Sequence, residues 1–509
     1  MLATGKQYIE RIKARPAEVF IGGEKITDVT THPAFRNAVN SISRLYDVTS
    51  SPANRNRLTY VEKETGKHCN PIFLRPKSRE DLALRRRIHE AWAEETWGLI
   101  GRSPDHVAGF ITGMACVPEV LAAEGRDYAK NVMNYWRYVR DNDLYLSYAV
   151  VPPSSVKSSD PVVIKARSEA KGKWGESAGL RAVKDDDKGV TVCGFKILAT
   201  GAALADEVLI GNIQPLAPGM EPYAITFALP RDTPGLKFLS RRSFEQTAVS
   251  ELDDPLAYRY DETDSVVFCD NVHVPWERVF AYNHLGTGRA AFNDTPAHTL
   301  GNAQAHIRLL AKLRLALGTI KRVVEMNGIS NLPPIRDALA RIAIIVAIVE
   351  GLIVAQEANP ETWPNGFVSQ DRQTMYATMA WTMEQYPGLV QIIRELLASH
   401  PFQQPADVSV FDNAESSEIY SKFAMAEPDE AITRYKLMRL AWDLVGSEFA
   451  SRHTQYEMFY AGGGHVSRGR ASHYFRWQPA DQAVTDALER LGGFDRLVRN
   501  RVREDAHAP

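Results

Sequence analysis

Cysteine is scarce, with four residues at positions 69, 116, 193 and 269 of a 509-residue chain. They lie far apart and form no CxxC pair. A zinc knuckle or local redox motif is therefore unsupported, and reduced thiols in a cytoplasmic protein are the expectation. Net charge is nearly absent as well: 60 Lys plus Arg against 62 Asp plus Glu leaves −2. A nucleic-acid-binding surface would show as a basic excess or stripe, so no nucleic-acid partner is expected. The most apolar run, IAIIVAIVEGLIVA at 342–355, carries Glu350 in its middle. It falls short of the about 20 residues of a spanning helix, so no membrane association is expected. The opening MLATGKQYIERIKARP lacks the apolar core of a secretory signal. Walker loops, GxGxxG, HExxH, GxSxG and EF-hand patterns are also missing.

What is present is a 44% hydrophobic chain, long enough for two or three subdomains. LALRRRIHEAWAEETWGLI (82–100) has helical spacing, and GRSPDH after it reads as an N-cap serine with a first-turn proline. HVAGFITGMACVPEVLAA and YAKNVMNYWRYVRDNDLYLSYAV continue in helical period until the prolines at 152–153. From about 160 to 280, short runs such as VTVCGFKIL, DEVLIGNI, YAITFALP and SVVFCDNVHV predict a β-sandwich or barrel, with DDDKG (185–189) as a hairpin turn. Helices return after about 290. The 342–355 stretch is apolar on nearly all faces, which places it inside a bundle or at a subunit contact. The predicted fold is α+β: an N-terminal mainly helical domain (1–153), a β domain (154–285), and a C-terminal helical bundle with its tail (286–509).

Several residues carry chemistry without deciding it. Arg102 and His106 are four apart, a spacing that suits a carboxylate or phenolate ligand and equally a surface patch. Tyr145 and Tyr148 share a helical face near Tyr135 and Trp136, as core or as cofactor wall. His306 reads as structural, and GGGH (462–465) as a helix-ending turn or a ligand-facing loop. Arg452, His453, Gln455 and Tyr456 are donors suited to phosphate or a flavin's polar edge.

Six stretches occur together and in order: GRSPDHV (101–107), NYWRYVRDNDLYLSYAVVPP (134–153), GFKILATGAALADEVLIG (194–211), VFCDNVHVPWERVF (267–280), HIRLLAKLRLALG (306–318) and LVGSEFASRHTQYEMFYAG (444–462). Together they resemble the oxygenase component of two-component, flavin-dependent aromatic hydroxylases, represented by 4-hydroxyphenylacetate 3-monooxygenase and including chlorophenol monooxygenases. The resemblance implies an acyl-CoA-dehydrogenase-like subunit in a homotetramer or homodimer. It implies FAD, used as FADH2 from a separate NAD(P)H:flavin reductase, and O2 as co-substrate. The reaction implied is hydroxylation of a small aromatic substrate through a flavin C4a-hydroperoxide. Alternatives are the same chemistry on a non-phenolic heteroaromatic of indole or pyrrole type, or an acyl-CoA-dehydrogenase-like flavoenzyme.

The resemblance also assigns residues. Arg102 matches the arginine of GR(S/T)PDY, and His106 stands at that motif's tyrosine. Tyr148 stands where DLxLTH has its histidine, which makes Arg102, His106 and Tyr148 the candidate catalytic group. In the chlorophenol-type HQxxxR motif this chain reads AQAHIR, with Ala303 at the aligned place and His306 one turn on. Candidate cofactor contacts are Thr200 and Gly201, Ser154 and Ser155 after the paired prolines, and Arg452, Gln455 and Tyr456. Asp206 and Glu207 read as structural. The related 4-hydroxybutyryl-CoA dehydratases need three cysteines and a histidine around an iron–sulfur cluster. No cysteine follows Cys269, so no metal is expected.

Overall fold

Helix signals in the first third are met by matching caps. Helix α1 (Gly5–Ala14) opens on a Thr4/Gln7 capping box. Helices α2 (Arg36–Ser50), α3 (Arg79–Glu95), α4 (Asp105–Cys116) and α5 (Tyr128–Asn142) follow. Ser78 and Asp127 cap α3 and α5 by accepting from the Asp81 and Lys130 N–H groups. Ser103 does not cap α4; its hydroxyl donates to the Asp105 carboxylate at 2.6 Å. These elements come from a computed structural model that describes residues 2–122, 126–158, 160–169 and 178–491. The last part of the C-terminal segment, 492–509, lies outside the described residues.

The helical reading of 128–150 fails at Asp143, whose φ of 48° ends α5 in the left-handed region. The chain then enters a strand at Leu146–Ala149. With β1 (Glu18–Ile21) and β2 (Glu24–Ile26), this strand, β3, is a contribution of the first 150 residues to the sheets. The other strands of the two main sheets are β4 (Arg181–Asp185), β5 (Gly189–Thr200), β6 (Glu207–Ile210), β7 (Ile225–Pro230), β8 (Leu236–Ser240), β9 (Asp264–Pro275) and β10 (Val279–Tyr282). They form a six-stranded sheet in the order β2-β1-β8-β9-β5-β4 and a four-stranded sheet in the order β10-β7-β6-β3. The pairs β1–β8 and β3–β6 are parallel. A Val151–Ile197 bridge ties the two sheets together. The hairpin at DDDKG is present, with Asp186 accepting from the Lys188 and Gly189 N–H groups at 2.8 and 3.0 Å.

The C-terminal part comprises α6 (Thr287–Asn293), α7 (Ala297–Met326), α8 (Pro333–Ala358), α9 (Arg372–Leu397), α10 (Ala414–Ala424), α11 (Pro428–Val445), α12 (Glu448–Phe459), α13 (Gly464–Tyr474) and α14 (Gln478–Arg490). Helix α7 is its axis, buried without interruption from Thr299 to Leu310 and packed on α3, α4, α8, α9 and α11. Its crossing with α4 depends on glycine. A Cβ would lie 2.5 Å from the Leu300 oxygen at Gly109, 2.2 Å from the Ala297 nitrogen at Gly113, and 2.5 Å from the Phe110 ring at Gly301. Backbone cannot step aside as a side chain can. Gly113→Val is therefore expected to lower the unfolding free energy by about 3 kcal/mol. Urea titration checks this, and an unchanged midpoint would contradict the crossing.

Helix α8 is longer than the apolar run inside it. Its 26 residues make it, among the described residues, the one helix long and apolar enough to cross a membrane, with mean hydropathy 2.4 over its most apolar window and 22% of that window buried. One side packs on α7 and α9 through Ile342, Val346, Val349 and Ile353. The other presents Ala343, Ile344, Ala347, Ile348, Gly351 and Val354 outward.

Candidate active site

The segment between α3 and α4 carries Arg102, and two glycines bring it against the bundle. Gly98 has φ +67° and a Cβ there would lie 1.9 Å from the Arg308 carbonyl; at Gly101 it would lie 2.5 Å from the Tyr456 ring. The Gly101–Arg102 dipeptide is then fixed by long-range hydrogen bonds. The Gly101 carbonyl accepts from Gln304 Nε2 and from the Tyr456 hydroxyl, each at 3.1 Å. The Arg102 N–H donates to Glu262 at 2.7 Å, and the Arg102 carbonyl accepts from the Tyr145 hydroxyl at 2.7 Å.

The Arg102 guanidinium is buried and has no carboxylate partner among the described residues. Its Nη2 donates to the Tyr460 carbonyl at 2.7 Å, and it lies 5.7, 5.2 and 6.0 Å from the ring centres of Tyr148, Tyr456 and Tyr460. Burial opposes its charge, yet Tyr148, Tyr456 and Glu262 hold it above the ordinary guanidinium value.

One turn on, His106 Nδ1 sits 2.7 Å from the Gly301 carbonyl and 3.4 Å from Arg102 Nη1. A carbonyl only accepts, so Nδ1 carries the proton and Nε2 is a bare acceptor. That Nε2 is buried with no partner. Burial first, then the Arg102 charge, pushes His106 well below the usual imidazole range, so it is neutral at physiological pH. The Tyr148 ring centre lies 5.2 Å from that of His106, and its ring stacks on Phe110 at 5.5 Å. Its hydroxyl has no hydrogen-bond partner among the described residues. Phe110 continues the aromatic wall to Phe292 at 5.4 Å and His298 at 6.1 Å.

The structure thus joins Arg102, His106 and Tyr148, though not on one helix: Arg102 precedes α4, and Tyr148 lies on a strand. Tyr145 just precedes β3 and Tyr148 lies in it, three residues on and so on the opposite side of the extended chain. The first bonds the Arg102 carbonyl, and the second meets His106.

The other candidates form a seam between the β domain and α12. Thr200, at the end of β5, donates to Asp264 at 2.6 Å. Gly201, with φ +72°, leaves room for the Tyr145 hydroxyl, which a Cβ would approach to 2.2 Å. Arg452 spends its donors on carboxylates, at 3.0 and 2.7 Å to Asp264 and 2.7 Å to Glu262. Burial would raise Asp264, but Arg452 and Arg241 outweigh it and hold the carboxyl well below its usual range. Tyr456 lies under the guanidiniums of Arg102, Arg308 and Arg452 at 5.2, 4.9 and 5.1 Å. Ser154 and Ser155 are exposed on the turn that follows the Val151–Ile197 bridge, and Gln455 is exposed on α12. No hydrogen bond among the described residues joins these three to the Arg102 group.

Other readings resolve simply. His306 bonds Gln356 Nε2 at 3.1 Å and lies 3.4 Å from the Tyr460 hydroxyl, with burial lowering its pKa to about 4. Asp206 pairs with Arg11 at 3.0 Å and Glu207 with Arg278 at 2.6 Å, both structural. Gly462, with φ +100°, turns the chain between α12 and α13. The functional surroundings the sequence did not single out are Glu262 and Asp264 in YDETDS, Gln304, Phe110 and Tyr460. The acid pair stands out locally only as a cluster. Its partner Arg452 lies nearly two hundred residues on, where no periodicity connects them.

A flavin fits the chemistry of this seam. A planar ring with a polar edge needs unpaired donors and acceptors beside an aromatic wall. His106 Nε2, Thr263 Oγ1 and His453 Nε2 are buried without partners, while Ser154, Ser155 and Gln455 remain open.

Comparison with known proteins gives the same assignment. Residues 4–281 match the model for the 4-hydroxyphenylacetate 3-hydroxylase N terminal part, and residues 289–489 that for its C terminal part. The chain is 32% identical over 461 residues to the 4-hydroxyphenylacetate 3-monooxygenase oxygenase component of Geobacillus sp. (strain PA-9), covering 90% of this chain and 91% of that one. It is 31% identical over 467 residues to the 4-nitrophenol 2-monooxygenase oxygenase component of Rhodococcus sp, covering 90% and 86%. A crystal structure of the oxygenase component (HpaB) of 4-hydroxyphenylacetate 3-monooxygenase complexed with FAD and 4-hydroxyphenylacetate superposes with a TM-score of 0.87 at 31% identity, over 96% of this chain and 98% of that one. The α+β order of helical, β and helical parts is common to both. The chain belongs to the 4-hydroxyphenylacetate 3-hydroxylase family, the FAD-dependent oxygenase components of two-component aromatic monooxygenases.

Proposed function

We propose that this oxygenase takes phenols, with Arg102, His106 and Tyr148 gathered around the phenolic oxygen. The supporting observation is the combination at one place of a buried guanidinium without a carboxylate, a buried imidazole nitrogen without a partner, and a phenol hydroxyl without a partner, all among the described residues. Relative to the family motifs, tyrosine and histidine have changed places, and the two rings touch. Both functional groups are therefore kept within reach of one ligand atom.

Each group has a defined task. His106 Nε2 accepts the phenol's proton, Arg102 stabilises the phenolate that forms, and Tyr148 donates a hydrogen bond to it. A phenolate ring is electron-rich beside the oxygen, where an electrophilic oxygen adds. Reduced FAD, delivered by the separate reductase component, supplies the oxygen activation when bound. Thr200, Gly201, Ser154, Ser155, Gln455 and Tyr456 are the residues along the seam that would hold it. Arg452 acts on Thr200 through Asp264, so it is a positioning residue. The wholly buried α4 and the Phe110–Phe292 wall keep water from the reacting atoms. Glu262, the carboxylate beside Arg102, is not free to act as an acyl-CoA-type base, because Arg102 N–H and Arg452 already engage it.

The outward apolar stripe on α8, with Ile344, Ile348 and Val354 at 57, 41 and 50% exposure, is read as the contact between subunits of a cytoplasmic homodimer or homotetramer. The test of the phenol reading is turnover with FAD, NAD(P)H and a flavin reductase on a panel of phenols, indoles and pyrrole carboxylates. Hydroxylated phenols are the expected products. Turnover confined to the nitrogen heterocycles would overturn it.

A further inference from the structure

We infer that a cavity between α1 and the β1–β2 ribbon is a binding site for one halide ion, with the buried guanidinium of Arg231 as its cation. The cavity measures about 10 Å³, room for one water-sized particle. Ile12, Ile26 and Val29 are buried along its walls, Lys13 and Asp28 line its more exposed part, and Arg231 reaches it from just after β7.

Arg231 is 1% exposed. Its Nε and Nη1 are buried with no hydrogen-bond partner, and it forms no ion pair among the described residues. The carboxylates around it are committed elsewhere. Asp206 accepts from Arg11 Nε and Nη2 at 3.1 and 3.0 Å and from the Tyr145 N–H at 2.9 Å. Asp232 pairs with Arg15 at 3.0 Å. Asp28 accepts from the Thr30 N–H and hydroxyl at 2.8 and 2.6 Å, and the charge of Lys13 favours its ionised form. Lys13 and Asp28 cancel, so the cavity keeps one unbalanced positive charge. Burial, only partly offset by Tyr8, Asp206 and Asp232, pulls Arg231 down to about 10.

A water molecule would accept from Nε or Nη1 but leave that charge unbalanced, and a buried charge without a counter-ion is costly. A carboxylate or phosphate exceeds the space and brings further oxygens that apolar walls cannot satisfy. One monatomic anion meets both conditions. It accepts from the guanidinium and turns no other polar atom toward Ile12, Ile26 and Val29. The Arg231 N–H also donates to the Asp206 carbonyl at 3.1 Å, so the ion braces the joint where α1, Asp206 and Tyr145 meet. Its role is structural.

The test uses the full chain with saturating FAD. Thermal unfolding is followed in sodium chloride, sodium bromide and sodium gluconate at equal ionic strength. Chloride and bromide are expected to raise the melting temperature saturably, by about 3 °C at a hundred times the dissociation constant, relative to gluconate. R231M is expected to lose that response and to melt no lower than wild type in gluconate, because it removes the unbalanced charge. Wild-type crystals soaked in bromide are expected to show an anomalous peak in the cavity beside Arg231, a readout that needs no variant to fold. Equal melting in chloride and gluconate would overturn the inference. So would a halide response retained in R231M, or a cavity that holds only water in the bromide crystals.

Discussion

Replacing Arg102 with methionine is expected to cut kcat/KM by about a hundredfold or more while the protein stays folded. Two features of the site lead to this result. Among the described residues the guanidinium has no ion pair to break, so its removal strands no carboxylate there; it also relieves a buried charge. The local fold depends on the Arg102 backbone, whose N–H and carbonyl bond Glu262 and Tyr145 at 2.7 Å each and are untouched by the substitution. The bond to the Tyr460 carbonyl at 2.7 Å is lost, worth about 1 kcal/mol, with the ring contacts to Tyr148, Tyr456 and Tyr460, and the relief of the buried charge offsets part of this. Activity and stability should therefore separate, with kcat/KM falling steeply and the melting temperature moving little. Arg102→Lys keeps a charge without the planar fork and is expected to recover only part of the activity. A methionine variant with near-normal turnover would remove Arg102 from the mechanism. One that unfolds would make it structural.

The second large effect is on stability. Glu457 on α12 holds two cations of α7 in a dry interior: Arg308 at 2.7 and 3.1 Å, and Lys312 at 2.6 Å, with all three side chains no more than 3% exposed. Glu457→Gln leaves both cations without a carboxylate in contact and is expected to cost about 3–5 kcal/mol. The pH dependence carries a signature. Burial would raise the Glu457 carboxyl, but Arg308 and Lys312 outweigh it and hold it near 2, below its ordinary 4.5. A depressed carboxyl contributes its full stability above its unfolded value and loses it as pH falls through the folded one. Wild type should therefore weaken between about pH 4.5 and 2 by a component missing from the glutamine variant. Chemical unfolding of both proteins across that range checks the sign. Because α12 also carries Tyr456 over Arg102 and Gly101, the same variant is expected to lose activity.

The sequence made some of this legible and hid the rest, for physical reasons. Local signals worked where local forces decide: the β5 hairpin, the long helices after residue 290, and the GRSPDH segment that carries Arg102 and His106. They failed where partners are distant. Strand β1 pairs with β8, about 220 residues away, and β3 pairs with β6, about 60 residues away, and no periodicity over four residues announces that. The stretch LYLSYA fits a helical or a strand pattern equally, and one residue in the left-handed conformation, Asp143, decides between them. By sequence Arg452 reads as a free donor; in the fold Glu262 and Asp264 take up its N–H groups. The apolar run in α8 was recognised, but its helix is longer because Arg336, Arg341 and Glu357 extend it without breaking it.

The most direct test of the central claim is mass spectrometry of the product formed under isotopically labelled O2. The purified chain would be supplied with FAD, a flavin reductase, NAD(P)H and a phenol. The expected result is one labelled oxygen atom in the new ring hydroxyl and none from labelled water. Product without label, or consumption of O2 with no hydroxylated product from any aromatic substrate, would contradict the assignment of this chain as a flavin-dependent aromatic monooxygenase.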